Sequence, residues 1–172
     1  MKKISVVLAS LLMAACASAP KTNSTQPQPV ASAPVAETTH ALTAEELEAR
    51  RLAAEKAQIE ALQKQSVYFD FDKFVVKPEF QGTVQQQADF IKAHGNDVVT
   101  LQGNADERGS DEYNLALGDK RATAVKKSLV VLGVADAALK TVSFGEEKPR
   151  LTCHEEKCWK ENRRVDFSHN IH

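Results

Sequence analysis

The sequence has no block of basic residues. Its 22 Lys and Arg are interspersed with 23 Asp and Glu, the net charge is −1, and it becomes −3 if Lys2 and Lys3 leave with a cleaved leader. A mildly acidic chain without a basic stripe argues against nucleic acid as a partner. Nor is there an apolar run of membrane-spanning length: Ile4 to Ala15 is about a dozen residues, where a spanning helix takes about 20. Only three cysteines occur, Cys16, Cys153 and Cys158, and none has the paired Cys-x-x-Cys spacing of structural zinc sites. No internal repeat is visible. There is also no nucleophile accompanied by a base, no metal triad and no well-spaced pair of acids, which argues against hydrolytic chemistry. Glu107 next to Asp106 does not supply such a pair, because adjacent residues seldom point at one bond.

What the sequence does contain begins with a secretory leader. Lys2 and Lys3 precede the apolar run, and small residues end it. Residues 1–15 read as the signal. Leu12-Met13-Ala14-Ala15-Cys16 resembles a bacterial lipobox, with Met13 where Leu is usual, so that Cys16 becomes the lipidated N-terminus. The alternative is ordinary cleavage after Ala15 or Ala19, with Cys16 unmodified. Ala17 rather than Asp follows the cysteine, which in the lipoproteins this resembles implies sorting to the outer membrane. Residues 16–42 are rich in Ser, Thr, Pro, Gln and Ala and nearly free of large apolar side chains, the composition of a disordered tether. If extended it reaches well over ~50 Å.

Thr43-Ala-Glu-Glu46 has capping-box spacing, and good helix formers continue to about residue 65. Residues 43–65 read as a solvated helical spacer, or as a docking helix for a partner or a second copy. From Ser66 the composition changes. Val67-Tyr-Phe-Asp-Phe-Asp72-Lys reads as a strand running into a turn. Pro78 opens a helix over 78–93, with Phe80, Val84, Ala88 and Ile91 on one face. Val98 to Gln102 is a second strand, followed by a long helix whose stripe is Leu115, Gly118, Ala122, Val125, Leu129 and Leu132. A helical turn at Asp136 to Leu139, a strand at Thr141 to Phe144, a short helix at about Glu155 to Glu161 and a strand at Arg164 to Ser168 complete residues 66–172. The order is β-α-β-α-β-(short α)-β, and about 105 residues suffice for one core. The expected fold is an α+β sandwich, with two main helices on one face of a small mixed sheet.

Asp106 lies in the turn between the second strand and the long helix. Arg121 lies on that helix two turns after Asn114, so the two stack beside the apolar stripe. A guanidinium facing a strand-end carboxylate is a clamp for a zwitterion, such as the ammonium and carboxylate of an amino-acid head group. The same two residues could equally form a structural salt bridge. Gly109 is expected to supply a positive φ in the loop.

Five stretches in order carry a family resemblance. They are Val67-Tyr-Phe-Asp-Phe-Asp-Lys, Gly103-Asn-Ala-Asp-Glu-Arg-Gly, Glu112-Tyr-Asn-Leu-Ala-Leu-Gly-Asp-Lys-Arg-Ala, Ser143-Phe-Gly-Glu-Glu-Lys-Pro and Asn162-Arg-Arg-Val. Together they resemble the OmpA-like peptidoglycan-binding domain over about residues 66–168. With the lipobox and tether, they resemble more narrowly the lipid-anchored peptidoglycan-associated lipoproteins. The resemblance implies a non-enzymatic tether that needs no cofactor and binds the meso-diaminopimelate of cell-wall stem peptides. It implies that Asp106 accepts from the ligand ammonium, that Arg121 forks onto its carboxylate and that Asn114 holds Asp106 or the peptide. Phe71 and Asp72 would line the groove, and Arg163 would meet a peptide carboxylate, strand alternation making either Arg163 or Arg164 structural. It further implies TolB and the Tol complex as partners, in envelope integrity and cell division. The alternatives are a wall anchor of the same family without a Tol role, or a wall hydrolase. Replacing Asp106 or Arg121 by alanine is expected to weaken wall binding and leave the fold intact.

Cys153-His-Glu-Glu-Lys-Cys158 departs from the family pattern, which usually has no cysteine pair here. With Cys16 lipidated and the compartment oxidising, a Cys153–Cys158 disulfide is the plain reading. The other is a metal site using both cysteines, His154 and a carboxylate. His169 and His172 read as solvated residues of a polar tail.

Overall fold

The computed structural model describes residues 42–171. The expected leader, the expected lipidation at Cys16, the expected tether as far as residue 41, and His172 lie outside the described residues. Among the described residues, no helix is long and apolar enough to cross a membrane.

Helix α1 (Ala44–Gln63) begins with the expected capping box. Thr43 accepts from the Glu46 N–H, and the Glu46 carboxylate accepts from the Thr43 N–H. Leu47 and Leu52 stay exposed. The second half of α1 docks: Glu55 lies 3.7 Å from His94 Nε2, Leu62 is buried, and the Leu62 carbonyl accepts from Gln87 Nε2 at 2.9 Å.

Strand β1 (Ser66–Tyr68) is shorter than its sequence pattern. Past Tyr68 only Phe69 is tied to the sheet, through its N–H to the Arg163 carbonyl at 2.9 Å, and the chain turns away. A 3-10 turn (Pro78–Phe80) leads into α2 (Gln81–Ala93), which buries Val84, Gln87, Ala88, Phe90 and Ile91. Strand β2 (Asp97–Asn104) follows, then α3 (Asp111–Val131), a 3-10 turn (Asp136–Ala138), β3 (Leu139–Gly145), α4 (Glu156–Asn162) and β4 (Arg164–Ile171). The strand order is β1-β4-β2-β3, with β4 antiparallel to both its neighbours and β3 parallel to β2. This is the expected α+β architecture with a mixed sheet.

One core joins the sheet to α2 and α3. Val67, Val99, Leu101, Val165 and Phe167 meet Val84, Ala88, Ile91, Ala122, Val125 and Leu129. The alternation in β2 puts Asp97, Val99, Leu101 and Gly103 inward. At the site end of α3 the packing is backbone on backbone. A Cβ added to Gly103 would lie 1.9 Å from the Gly118 carbonyl oxygen, so only glycine allows β2 and α3 to come this close.

Two expectations change. Leu115 does not belong to the core stripe: it is 52 % exposed, whereas Asn114, Leu117, Gly118 and Arg121 are buried. The buried face of α3 thus carries polar side chains in its first half, in the stripe rather than beside it. His169 is not a tail residue. Strand β4 continues past Ser168 and buries its ring, with Nδ1 2.6 Å from Asp97 Oδ2 and Nε2 2.9 Å from Gln87 Oε1.

Candidate binding cleft

The loop from β2 to α3 is built from short-range bonds. Asp106 Oδ1 accepts from the Arg108 N–H two residues on, an Asx-type turn. Gly109 has φ +126°, as expected, and Ser110 caps α3 by accepting from the Tyr113 N–H at 3.3 Å. This loop, the 69–73 loop after β1, and the first half of α3 enclose a cleft of about 270 Å³ lined by Phe71, Asp72, Asp106, Asn114 and Arg121, with Arg108, Gly109, Tyr113 and Leu117. Five of the six residues singled out in the sequence therefore share one cavity, and the sixth, Arg163, bonds directly to Asp106.

Asp106 is 4 % exposed and held by two guanidinium groups. Arg108 donates Nε to Oδ1 at 3.2 Å and Nη2 to Oδ2 at 2.7 Å, and Arg163 donates Nη1 to the same Oδ2 at 3.1 Å. Burial works against the carboxylate charge, but the bonds from Arg108 and Arg163 outweigh it and hold the Asp106 pKa below the ordinary value.

Arg121 is fully buried and bonds to three backbone carbonyls on separate segments. Nε donates to Lys73 at 2.9 Å, Nη1 to Asn104 at 2.8 Å and Nη2 to Asp70 at 3.3 Å. Burial pulls its pKa down to about 10, with the charge of Asp106 opposing the shift, so it remains cationic at neutral pH. Among the described residues no ion pair joins Arg121 to Asp106. The direct structural bridge between them is not formed, and each is positioned by other groups.

Asn114 does not hold Asp106. Its side-chain amide donates to the Glu146 carboxylate, across to the end of β3. Asp72 sits in the left-handed region at φ 56°, which Asp tolerates, and accepts from the Tyr113 hydroxyl. The two arginines part where α4 hands over to β4, Arg163 being the C-terminal cap of the helix and Arg164 the first residue of the strand. Arg163 points to Asp106 and Glu156, while Arg164 donates Nε to Asp166 Oδ2 at 2.8 Å and Nη2 to the Lys148 carbonyl at 3.2 Å.

Three residues that the sequence reasoning missed complete the surroundings. The Arg108 guanidinium is stacked between two rings, 4.0 Å from the centroid of Phe71 and 4.1 Å from that of Trp159. Glu156 accepts from Arg163 and lies 3.7 Å from Arg108 Nη2. Trp159 and Glu156 stand on α4, beside the disulfide that joins Cys153 to Cys158 with Cα atoms 5.7 Å apart. The metal reading of that loop finds no support: no group of three or more His, Cys, Asp or Glu side chains among the described residues could hold an ion.

A model of the OmpA family matches residues 68–163, more than half of the chain. The chain belongs to the OmpA family. The segment that matches contains all six residues singled out above and ends on Arg163. Curated relatives include a protein named peptidoglycan-associated lipoprotein from Pseudomonas putida, 49 % identical over 100 residues, covering 58 % of this chain and 60 % of the relative. A protein of the same name from Agrobacterium fabrum is 43 % identical over 99 residues, covering 58 % and 56 %. The chain thus spans less than two thirds of the length of these relatives. Among solved structures, the peptidoglycan-associated lipoprotein from Burkholderia pseudomallei has a TM-score of 0.61 at 50 % identity, covering 62 % of this chain and 91 % of that one. The C-terminal domain of Helicobacter pylori MotB shares the fold, with a TM-score of 0.59 at 18 % identity, covering 63 % and 85 %.

Proposed function

We propose that this OmpA-family protein binds peptidoglycan non-covalently, by clamping the free amino-acid end of meso-diaminopimelate in the stem peptide. The observation that carries the reading is that Asp106 and Arg121, opposite in charge, line one cleft without pairing with each other. The ligand ammonium bonds to the Asp106 carboxylate, whose remaining lone pairs are oriented by Arg108 and Arg163. The ligand carboxylate takes the guanidinium N–H groups of Arg121 that the three carbonyls leave over, since a guanidinium has five. Arg121 has no exposed surface in this structure, so the carboxylate enters by displacing the exposed side chains at the mouth, Asp72 and Tyr113 among them. Phe71 and Asp72 line the entry, Asn114 shapes the floor through Glu146, and Arg163 fixes Asp106 rather than meeting the ligand. The names of the curated relatives support a wall-binding rather than a catalytic role. Anchored through a lipid on Cys16, the protein would tether the outer membrane to the wall and work with TolB and the Tol complex in envelope integrity and division.

The test is an NMR titration of the full chain with a diaminopimelate stem peptide, and with the lysine stem peptide that lacks the distal carboxylate. Saturable shifts at Asp106, Asn114 and Arg121 with diaminopimelate, and binding about tenfold or more weaker with lysine, are expected from the loss of a charge-assisted bond. Equal affinity for the two peptides refutes the clamp.

A further inference from the structure

The cleft has a wall that the clamp does not use. It is built on α4, a helix of seven residues with no side-chain cap at its N-terminus. A helix that short does not hold itself together in water, because the cost of nucleation is not recovered. Something else fixes where it begins and which way it faces. Cys158 lies in its first turn, is buried, and is covalently tied to Cys153 in the preceding loop.

From that tie a chain of contacts runs straight to the charged centre. Trp159, next after Cys158, stacks its ring 4.1 Å from the Arg108 guanidinium and donates Nε1–H to Glu107 Oε1 at 2.8 Å. Inside the disulfide loop, His154 Nδ1 lies 2.7 Å from both carboxylate oxygens of Glu107. Glu156, also inside the loop, faces Arg108 and Arg163 together. Arg108 and Arg163 are the two groups that hold Asp106. Every contact that α4 and its loop make toward the cleft therefore converges on the partners of Asp106, or on its neighbour Glu107.

We infer that the Cys153–Cys158 disulfide is a positioning device for the cleft. It holds Trp159 and Glu156 against Arg108, and so sets the orientation of the Asp106 carboxylate and the affinity of the site. The inference rests on the reading of the cleft proposed above. Reduction by a dithiol gives the disulfide two electrons and two protons, leaves two thiols, and converts the reductant to its own disulfide. The α4 turn then loses its only covalent brace, Trp159 leaves the Arg108 stack for part of the time, and the cleft is less ordered before the ligand arrives. Pre-organisation lost in this way appears as weaker binding rather than as unfolding. The structure thus makes wall affinity follow the thiol–disulfide state of the compartment.

Trp159 is the only tryptophan of the chain, so the tryptophan emission comes from this residue, and the effect of Arg108→Ala on it reports the stack. The test compares the full chain, oxidised and after dithiothreitol, and the Cys153→Ser/Cys158→Ser double variant. In the oxidised protein, Arg108→Ala should change the Trp159 emission and its acrylamide quenching. In the reduced protein and the double variant, the difference between Arg108 and alanine should largely vanish. Affinity for the diaminopimelate stem peptide should fall about three- to tenfold on reduction, the scale of a lost cation–π stack with its ordering, while circular dichroism shows the fold retained. An Arg108→Ala emission difference and a stem-peptide affinity that are both the same in the two redox states overturn the inference. If the oxidised protein binds no stem peptide, the cleft reading itself fails and the affinity effect falls with it. The emission comparison still decides whether the disulfide holds Trp159 against Arg108.

Discussion

Replacing Arg121 by lysine separates what that residue does for the fold from what it does for a ligand. The guanidinium donates to the carbonyls of Asp70, Lys73 and Asn104, and none of these bonds is to a side chain. A hydrogen bond to a charged group contributes about 1.5–3 kcal/mol, and a buried carbonyl left without a donor carries the full desolvation cost. Lysine keeps the charge but has a single nitrogen, which cannot span carbonyls on three segments. With two bonds lost, the expected destabilisation is about 3–6 kcal/mol. Set against a total of about 5–15 kcal/mol for a domain, this leaves a protein that folds in the cold and melts roughly 10–20 °C earlier. Urea denaturation followed by circular dichroism measures the loss directly. The expectation that alanine at 121 leaves the fold intact is therefore replaced: Arg121 ties the 69–73 loop to β2, and any loss of wall binding on its removal must be read beside the loss of stability. A stability within about 1 kcal/mol of the parent would refute the reasoning, because that difference is less than one charged hydrogen bond.

The approach of β2 to α3 gives a second expectation. Gly103→Ala forces a Cβ against the backbone of Gly118, which cannot rotate away, and should cost at least about 3 kcal/mol, at the upper end of overpacking. A melting temperature within a few degrees of the parent would show that the helix moves freely. The depressed pKa of Asp106 gives a third. A carboxyl whose folded pKa lies below its unfolded one contributes stability that is complete above the ordinary carboxylate range, about pH 4, and is lost as pH falls through the lowered folded value. Stem-peptide affinity should accordingly stay level from pH 7 to about 5. Carbon-13 NMR of the Asp106 carboxyl should show its midpoint below the ordinary value, and a midpoint at or above it would show that Arg108 and Arg163 do not hold the charge.

The elements of the fold were largely readable because their signals are local. Periodicity marks α2 and α3, and the capping box marks the start of α1. The elements that escaped depend on distant partners. The pattern after Tyr68 alternates like a strand, yet β4 gives β1 only three partners, Asp166, Val165 and Arg164, before the chain turns toward Arg121. Leu115 looks like core by spacing, but the helix is rotated so that Asn114 and Arg121 face the cleft, and those polar residues take buried positions that composition alone would give to leucine. His169 could not be placed without Asp97, since the two meet only when β4 lies against β2. For the cleft, the sequence put the charged residues in one neighbourhood but could not say who pairs with whom. Arg108 had one local signal, its place two residues after an Asp in a turn, where side chain to backbone bonds are common. Glu156 and Trp159 had none, because they meet Arg108 only in the fold, from a helix about fifty residues further along the chain.

Strand β4 lies between β1 and β2, although it follows both of them in the chain. Ser66 pairs with Asp166, and Val99 with His169, so β1 has no strand partner until β4 has been made. The register that joins β1 to the rest of the sheet is thus set by β4, through contacts of the long-range kind that form slowly. Before β4 is made, β2 and β3 can already pair in parallel, but β1 has no place in the sheet. For the same reason, a product broken off before Arg164 would leave β1 unpaired, and quality control would meet it as a chain with a missing keystone rather than as a slightly shortened protein.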